Sequence, residues 1–571
     1  MRVRLVRREV DADAIGWGAD LHPVLQRVYA ARGIRCAQEI DHRLATLLPP
    51  ASLGGLDAAC ALLADAIERD SRVVVVGDFD ADGATGTAVA VRGLRMLGAR
   101  NMSFRVPNRA VHGYGLTPAL VDTIDDADIV LTVDNGVTSV AGVERARERG
   151  MRVIVTDHHL PGERLPDADA IVNPNLPGDC FPSKALAGVG VVFYLLLALR
   201  AQLHPTGSSD ARPDLGALLD LVAIGTVADL VRLDRNNRVL VEAGLRRIRA
   251  GKACAGVRAL LEASGRDART TVASDLAYAL GPRINAAGRL EDMAIGIECL
   301  LADDDATAQE RARRLSAINE ERRELQAAMV EEADARVAQW LHAHGGAGLP
   351  HGVVLFDEHW HPGVVGLVAS KLKERLHRPV VACAPAGDAG GEVRGSARSI
   401  RGLHVRDVLA DVDAAHPGLI DRFGGHAMAA GLSLGRDAIG RFAEAFDEAV
   451  RARARPEWFD AVVHTDGELP ADAFTLDLAH ALRVAGPWGQ DFPEPLFDNW
   501  FEVESWRLVG GRHWRLALRA QGVKAPIEAM LFHAIDMAEP PQAFRAAFQL
   551  DVNEWNGRER LQLILRHLVP E

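Results

Sequence analysis

The sequence predicts an α/β protein with two α/β domains, a long helix that joins them and a small C-terminal β-barrel. Short Val- and Ile-rich runs alternate with helical patterns over residues 57–235. A charged helical stretch spans 303–341, and the last part, 458–571, has the alternation of antiparallel strands with little helix. Because single hydrophobic cores seldom grow past about 250–300 residues, a chain of 571 residues is expected to hold several domains.

Four apolar runs define the strands of the first α/β domain. They read VVVVGD, ADIVLTVD, RVIVTDHH and DAIVNP, and polar residues and a helical pattern follow each one. This order is typical of parallel βα units in an open sheet. Sites in such folds form beyond the carboxyl ends of the strands, so a strand that ends in Asp has a functional interpretation.

The rest of the chain is expected to be helical first and α/β again later. Residues 236–300 are predicted to be mainly helical, with a glycine-rich interruption at Gly281–Arg289. The apolar stripe of the long helix consists of Leu315, Ile318, Leu325 and Met329. A linker, HAHGGAGLPHG, precedes the second α/β segment, which runs from GVVLFDE to about residue 452.

Composition excludes several classes of protein. The net charge of −13 disfavours a general nucleic-acid coat protein but not a nuclease, whose acidic centre is neutralised by metals. The six cysteines form no CxxC pair, which argues against a zinc ribbon or disulfide framework and fits the cytoplasm. We expect no signal peptide, because the N-terminal MRVRLVRREVDAD has no apolar h-region and no small-residue cleavage site. We expect no membrane span, because the longest apolar run, near 187–199, is too short.

Three carboxylates follow the first strand within five residues, at Asp78, Asp80 and Asp82. Like charges this close raise each other's pKa, so cations are expected beside them. Further candidates are Asp134 in LTVDNGV, the sequence DHH at 157–159, and Asp229 in an apolar segment. A mixed Asp/His set suits Mn²⁺, with Mg²⁺ as the alternative, and two such ions would offset the repulsion and activate water.

Each of these residues also has a structural interpretation. A single Asp after a strand is usually a turn residue or helix cap, and a buried Asp such as Asp229 is often a satisfied structural partner. Adjacent residues of a strand point to opposite faces, which weakens the HH pair unless it lies where the strand ends. All four segments together favour a metal centre.

In the order DxDxDG, VDNG, DHH and GTVAD, the sequence resembles the DHH phosphoesterases. Further segments resemble the RecJ branch of that family, the single-strand-DNA-specific exonucleases, over about residues 55–450: PNRAVHGYGL, GPRINAAGR, HPGVVGLVASKL, RGSARS and FGGHAMAAGL. The resemblance implies an N-terminal extension, a DHH catalytic domain, a helical region with the connecting helix, a DHH-associated nucleic-acid-binding domain and an OB-type domain. Their predicted boundaries are 1–56, 57–235, 236–344, 345–455 and 456–571.

The family pattern implies metal ligands at Asp80, Asp82, Asp134, His158 and Asp229. Asp78 and His159 also match motif positions, with His159 as a proton donor or phosphate contact. Residues expected to bind DNA or phosphate are Arg109, Tyr114, Arg283, Asn285, Arg289, Arg394, Ser396, Arg398, Gly424, Gly425 and His426. The arginines and Ser396 supply donors suited to phosphate, and the glycines permit close approach of the backbone. Trp500, Trp506, Trp514 and Trp555 are candidates for base stacking, although most are expected in the barrel core.

The resemblance implies a metal-dependent 5′→3′ exonuclease that releases mononucleotides from single-stranded DNA in repair and recombination. It also implies single-strand-binding protein and a RecQ-type helicase as partners, and we expect a monomer. Three alternatives remain open: a phosphodiesterase for short oligonucleotides or cyclic dinucleotides, an inorganic pyrophosphatase, and a non-catalytic scaffold. The C-terminal domain argues against the first two, and the intact Asp and His set argues against the third.

Overall fold

The computed structural model describes residues 3–10, 17, 21–108, 111–205, 212–343, 349–386, 391–532, 534, 539–555 and 557–569. The chain forms two compact units. One contains residues 7–319 with 464–571, and the other contains 1–6 with 320–463. Among the described residues no single helix has the length and apolar character to cross a membrane, and only the bent pair Leu44–Ser52 and Leu56–Glu68 meets that test of length and composition.

The secondary structure alternates in the first half of the chain and becomes strand-rich at the end. The strands are β1 (Val3–Arg7), β2 (Val73–Gly77), β3 (Met102–Arg105), β4 (Ile129–Val133), β5 (Arg152–Thr156), β6 (Ala170–Val172), β7 (Val353–Phe356), β8 (Val380–Pro385), β9 (Glu392–Arg398), β10 (Arg422–Gly425), β11 (Ala429–Gly435), β12 (Ala461–Thr465), β13 (Phe497–Val509), β14 (His513–Ala520), β15 (Ile527–Leu531), β16 (Ala543–Trp555) and β17 (Arg558–Val569).

In the part of the chain that the structure describes, twelve α-helices lie before residue 302, the long helix α13 follows them, and the later α-helices belong to the second α/β segment and the C-terminal part. They are α1 (Pro23–Ala30), α2 (Leu56–Glu68), α3 (Ala81–Met96), α4 (Pro118–Asp122), α5 (Val140–Glu148), α6 (Gly188–Leu203), α7 (Leu219–Ala228), α8 (Arg235–Arg249), α9 (Ala255–Ala263), α10 (Ala273–Asp275), α11 (Gly281–Leu290), α12 (Ala294–Leu301), α13 (Asp305–Ala343), α14 (Val365–Leu376), α15 (Val405–Ala415), α16 (Ile439–Arg453) and α17 (Leu476–Val484).

The first sheet is parallel throughout, as the βα pattern predicts. Its strand order is β3-β2-β4-β5-β6, and all four strand pairs run parallel. Every residue of β2 and β4 is buried, because helices cover both faces of a parallel sheet. The carboxyl ends of β2, β4 and β5 therefore lie side by side at one edge.

The glycine-rich segment after residue 280 is a helix, so the prediction of an interruption there is wrong. Helix α11 begins at Gly281, and Pro282 occupies its first turn, where a missing N–H costs no hydrogen bond. Gly288 lies within this helix. Only glycine fits at this position, because a Cβ would lie 1.9 Å from the carbonyl oxygen of Phe79. The glycine therefore permits α11 to pack directly on the loop that carries Asp78 and Asp80.

Helix α13 confirms the predicted long helix, with 39 residues from Asp305 to Ala343. Leu315, Ile318 and Met329 of the predicted stripe are buried, and Leu325 is half-buried. The stripe follows the three- and four-residue spacing that places side chains on one face.

The second α/β segment forms a mixed sheet in the order β10-β11-β9-β8-β7. Strands β7 and β8 are parallel, and the other neighbours are antiparallel. Along β9, Val393, Gly395 and Ala397 are buried, while Arg394 and Ser396 between them are half-buried.

The C-terminal strands close into a barrel in the order β13-β14-β15-β17-β16. The prediction of an antiparallel barrel is wrong for one pair, because β15 and β17 run parallel. The tryptophans also differ from expectation: Trp514 is in the core, whereas Trp500 and Trp506 are each 39% exposed. The side chain of Trp555 lies outside the described part of the chain.

Helix α1 and the residues that follow it, which are part of the predicted N-terminal extension, pack into the first unit. Tyr29 of α1 stacks on Trp488 and Phe492 and donates a hydrogen bond to the carbonyl of Ala485. Arg32 forms a buried ion pair with Asp466, at 2.8 Å. Residues near both ends of the sequence therefore share one core, which a local pattern does not reveal.

Candidate metal centre

The carboxyl edge of the parallel sheet collects the acidic and imidazole side chains. Asp78 follows β2, Asp134 follows β4, and the sequence DHH follows β5. Asp80 caps α3 by accepting a hydrogen bond from the Gly83 N–H at 3.0 Å, and Asp82 lies in the first turn of that helix. Asp229 comes directly after α7.

The structure brings all seven predicted catalytic residues together. Three overlapping groups have ligand atoms within 4.8 Å of one another: Asp134 with His158 and His159, Asp82 with His158 and Asp229, and Asp78 with Asp80 and Asp134. Asp134 and His158 each belong to two groups. Shared ligands of this kind suit neighbouring cations.

Asp134 and His158 face each other at the centre of the cluster. Asp134 Oδ1 lies 3.1 Å from His158 Nε2, and within the described residues neither atom has a hydrogen-bond partner. Asp134 is held at a φ of 63°, in the left-handed region that costs energy for residues with a side chain. Gly188 packs so closely on it that a Cβ there would lie 2.4 Å from the Cβ of Asp134. Buried polar atoms without partners fit a metal ion that binds both.

Asp82 is fixed by the N-terminus of α6. Its two carboxylate oxygens accept hydrogen bonds from the backbone N–H groups of Gly188 and Val189, at 2.6 and 3.0 Å. Helix α7 approaches the same carboxylate at Gly225, where a Cβ would lie 2.8 Å from Asp82 Oδ1. Two helices therefore hold this carboxylate in one orientation.

Burial and mutual repulsion disfavour the charged forms of these groups. Burial, with the charges of Asp229 and Asp80, raises the pKa of Asp82 well above its usual range. Burial and neighbouring carboxylates likewise raise the pKa of Asp134 strongly and that of Asp229 to about 7. Burial and the charge of His159 lower the pKa of His158 to about 4, which leaves a neutral imidazole. Divalent cations would stabilise the charged forms of these carboxylates and offset their repulsion, so these residues fit such ions.

His159 is held by Asp157. Its Nδ1 lies 2.8 Å from Asp157 Oδ1, and Asp157 also accepts hydrogen bonds from the backbone N–H groups of Val137, His158 and His159. Burial lowers the pKa of His159, but the hydrogen bond and charge of Asp157 outweigh it and raise the pKa to about 9. The Tyr114 hydroxyl lies 3.3 Å from His159 Nδ1 and the two rings meet edge to face.

Three supporting residues were missed as functional positions in the sequence. Asp157 belongs to the sequence DHH, which predicts no separate role for it, although it orients His159. Asn173 and Asn175 donate hydrogen bonds from their side chains to the carbonyls of His159 and His158. The sequence does contain a signal for the two asparagines. Both follow β6 within three residues, so they lie at the same carboxyl edge of the sheet as the aspartates.

The residues of the first unit that are predicted to contact DNA differ in their surroundings and in their hydrogen-bond partners. Arg109 lies outside the described residues. Asn285 uses its Oδ1 to accept the N–H of Ala81 at 2.8 Å, which supports the start of α3. Arg283 donates to the Ala279 carbonyl and to Ser316 Oγ, and Arg289 is half-buried. Their contacts with DNA stay predictions.

Within the second unit, the sheet brings the predicted phosphate-binding residues together. Arg394, Ser396 and Arg398 alternate along β9 and so share one face. Arg398 donates to Ser396 Oγ at 2.8 Å and to Ser370 Oγ of α14 at 3.2 Å. The neighbouring strand places Gly431 opposite Ser396, and Gly424 is opposite Gly431 in turn.

The hairpin that joins β10 and β11 holds the other predicted residues of this face. At Gly424 and Gly431, no atom of the described residues lies within 4 Å of the place that a Cβ would take. Gly425 has a φ of 141°, and a Cβ there would lie 2.5 Å from the Ala429 carbonyl, so glycine is required. His426 donates its backbone N–H to Ala429. The result is an arginine- and serine-bearing face with open space above two glycines.

Known proteins match both the parts and the whole of the chain. The DHH family N-terminal domain matches residues 72–226, the DHHA1 domain 350–452 and the RecJ OB domain 465–567. The chain is 50% identical over 564 residues to the single-stranded-DNA-specific exonuclease RecJ of Dickeya dadantii, a match that covers 96% of each chain.

The chain belongs to the RecJ family. Among solved structures, RecJ of Thermus thermophilus in complex with Mn²⁺ has a TM-score of 0.80 and 32% identity, and the match covers 100% of this chain and 80% of that one. The same protein in complex with Mg²⁺ matches with a TM-score of 0.75 and 31% identity over 100% and 79% of the two chains. The RecJ fold with DHH, DHHA1 and OB domains is therefore confirmed, and the Asp/His cluster agrees with Mn²⁺ or Mg²⁺ as cofactor.

Proposed function

We propose that this chain is a metal-dependent exonuclease specific for single-stranded DNA, which acts 5′→3′ and releases mononucleotides. The observation that carries the proposal is the set of three overlapping Asp/His groups at the carboxyl edge of the sheet. Membership of the RecJ family supports the same function. The domain boundaries predicted from the sequence are part of this proposal.

The metal ligands are proposed to be Asp80, Asp82, Asp134, His158 and Asp229, with Asp78 beside them. When bound, two divalent cations would stabilise charge on the attacking and departing oxygens of the phosphodiester. The protein holds the carboxylates in place with helix termini and backbone N–H groups, so little reorganisation accompanies binding. His158 remains neutral and presents Nε2 to the same space.

His159 is proposed to donate a proton or to contact the scissile phosphate. Asp157 fixes the imidazole ring through Nδ1 and favours its protonated form. Tyr114 lies against the ring, where it limits the orientations that the imidazole can take. A fixed and protonated imidazole is suited to a departing oxygen or a phosphate oxygen.

The arginine and serine face of β9 is proposed to bind the terminal phosphate. Arg394 and Arg398 offer planar guanidinium donors and Ser396 a hydroxyl, and phosphate accepts several such bonds at once. Recognition of a terminal phosphate would make the enzyme an exonuclease. Single-strand-binding protein and a RecQ-type helicase as partners, a monomeric state, the cytoplasm as location and a role in repair and recombination are proposals that rest on the family alone.

The test is a time course on a single-stranded oligonucleotide labelled at its 3′ end, with Mn²⁺, Mg²⁺ or EDTA. Stepwise shortening from the 5′ end in either metal, no reaction in EDTA and a spared duplex are expected. Binding without digestion would favour a scaffold instead, and cleavage restricted to dinucleotides would favour a short-substrate phosphodiesterase. A 5′-labelled copy that releases labelled mononucleotide first would establish the polarity independently.

A further inference from the structure

Tyr278 is an aromatic residue that the fold holds out in solvent. It lies in the π-helical turn Leu276–Leu280, between α10 and α11, and is 79% exposed. Leu276 and Leu280 on either side are fully buried, so the turn is anchored while the ring of Tyr278 is not covered. Single π-helical turns are uncommon and are frequent at functional sites.

A groove runs past Tyr278 between the helical region and the barrel. It consists of two adjoining cavities of about 570 and 510 Å³, which share Ser274, Tyr278, Trp488, Glu494, Gln549 and Arg566. One wall comes from α10 and the π-helical turn, and the other comes from β16 and β17. We call this feature the Tyr278 groove.

One end of the Tyr278 groove reaches the C-terminal end of helix α7, which Asp229 follows directly. Val227 and Leu230 line the cavity of 570 Å³, and Asp229 lies between them in the sequence. Leu230 has a φ of 62°, in the left-handed region that is unfavourable for a leucine. Its apolar side chain is also 62% exposed to solvent. Strain of this kind persists where the surroundings impose it and clusters at ligand sites.

The charges along the Tyr278 groove are balanced, since its lining includes three arginines, Arg266, Arg483 and Arg566, and three carboxylates, Asp275, Glu494 and Asp551. Arg266 pairs with Asp275, Arg566 donates hydrogen bonds to Gln549, and Gln549 donates to Glu494. Attraction for phosphates alone is therefore weak here, and the exposed ring is the feature that distinguishes the groove. Aromatic rings stack on any base, which gives affinity without sequence preference.

We propose that Tyr278 is a stacking platform for a base of the single strand on the 3′ side of the nucleotide being removed. The trailing strand would leave the metal centre past Leu230 and follow the Tyr278 groove toward the barrel. This inference rests on the proposed exonuclease function and assigns a substrate-binding residue beyond the metal and phosphate sites.

The experiment compares wild-type protein with Tyr278→Ala, Tyr278→Phe and Leu165→Ala on 5′-phosphorylated oligonucleotides in Mn²⁺. Leu165 is an exposed apolar residue that lines neither cavity, so its variant controls for loss of surface area. For a 40-mer, Tyr278→Ala is expected to raise KM roughly 10-fold with kcat within about twofold of wild type. Tyr278→Phe and Leu165→Ala should behave as wild type, and a trinucleotide should be cleaved equally by all four proteins.

Two further readouts separate stacking from a structural effect. A single 2-aminopurine moved along the first ten nucleotides should show one position whose fluorescence is quenched by wild type and Tyr278→Phe but not by Tyr278→Ala. The slope of log KM against log salt should be unchanged in Tyr278→Ala, because no phosphate contact is lost.

Equal KM values for wild type and Tyr278→Ala on the 40-mer would overturn the inference and leave the groove to another ligand, such as a protein segment. An equal loss on the trinucleotide would also overturn it, since the effect would then arise at the metal centre. If the wild-type protein fails to digest single strands at all, the proposed function itself is wrong.

Discussion

Asp134 Oδ1 and His158 Nε2 lie 3.1 Å apart at the ends of two adjacent parallel strands, with no hydrogen-bond partner for either atom within the described residues. Each residue also belongs to two of the three groups that can bind an ion. Two buried ligand atoms that meet without a hydrogen bond are costly in the absence of a cation. The first prediction follows from this pair.

Asp134→Ala should lower the rate of single-strand digestion by at least about 100-fold while the protein stays folded. The substitution removes a shared ligand, and it also removes a buried carboxylate whose pKa is strongly raised, so thermal stability should not fall. The control is Asp169→Ala. Asp169 comes directly before β6 and so lies at the amino ends of the strands, away from the metal centre. Normal digestion by Asp134→Ala would show that the metal centre has been misplaced.

Asp157→Asn should slow digestion because it removes the charge that fixes and protonates His159. We expect a loss of roughly 10- to 100-fold. The informative measurement is a double-mutant cycle with His159→Ala: if Asp157 acts through His159, the second substitution adds little once His159 is absent. Fully additive losses would mean that Asp157 supports the loop and not the imidazole.

Arg398→Ala should reduce the preference for a 5′-phosphorylated end by roughly 10-fold or more, since hydrogen bonds between charged groups contribute about 1.5–3 kcal/mol. The measurement is the ratio of kcat/KM for oligonucleotides with and without the phosphate. Arg422→Ala serves as the matched control, because Arg422 lies on the neighbouring hairpin and pairs with Glu392 at the surface. A ratio that equals wild type would remove Arg398 from the phosphate site.

Arg32→Met should destabilise the first unit by about 3 kcal/mol, because it removes the closer of the two arginines that pair with the buried carboxylate of Asp466 and leaves only Arg8, at 3.4 Å. The Arg32 and Asp466 side chains are 1% and 0% exposed. The guanidinium of Arg32 also lies over the Trp488 ring, so urea unfolding followed by tryptophan fluorescence reports on the site. The exposed pair of Arg7 and Glu468 provides the comparison: Glu468→Gln should cost less than about 1 kcal/mol.

Acid should destabilise the protein partly through His42. Burial and the charges of Arg238 and Arg246 lower the pKa of His42 to about 4, below its ordinary value of 6.5. The unfolded chain therefore binds a proton more readily, and stability is lost as the pH falls from about 6.5 toward 4. At pH 5, the stability lost through protonation of His42 in the unfolded chain is about 2 kcal/mol.

The measurement is the midpoint of thermal unfolding of wild type and His42→Gln at pH 7 and pH 5. The wild-type midpoint should fall further than that of the variant between these two values. An equal fall in both proteins would show that His42 does not carry this acid sensitivity.

The sequence by itself determined the first sheet, the long helix and the composition of the metal centre. Runs such as VVVVGD and IVLTVD encode buried strands locally, and parallel strands must present their carboxyl ends at one edge. Asp78, Asp134 and His158 were therefore predictable as neighbours from three separate segments. The glycines of GPRINAAGR led to the prediction of an interruption where the structure has a helix. Gly288 is needed there because the helix packs on Phe79, a residue far away in the sequence.

Only the tertiary structure decided which partners these residues have. Asn285 supports the start of α3, Asp157 orients His159, and Asn173 and Asn175 hold the backbone of the two histidines. Tyr278 appears as an ordinary helical residue in the sequence, and its exposure depends on where α10 meets the barrel. Local patterns specify which face of an element is apolar, whereas contacts between distant segments depend on how whole elements pack, which no short stretch of sequence encodes.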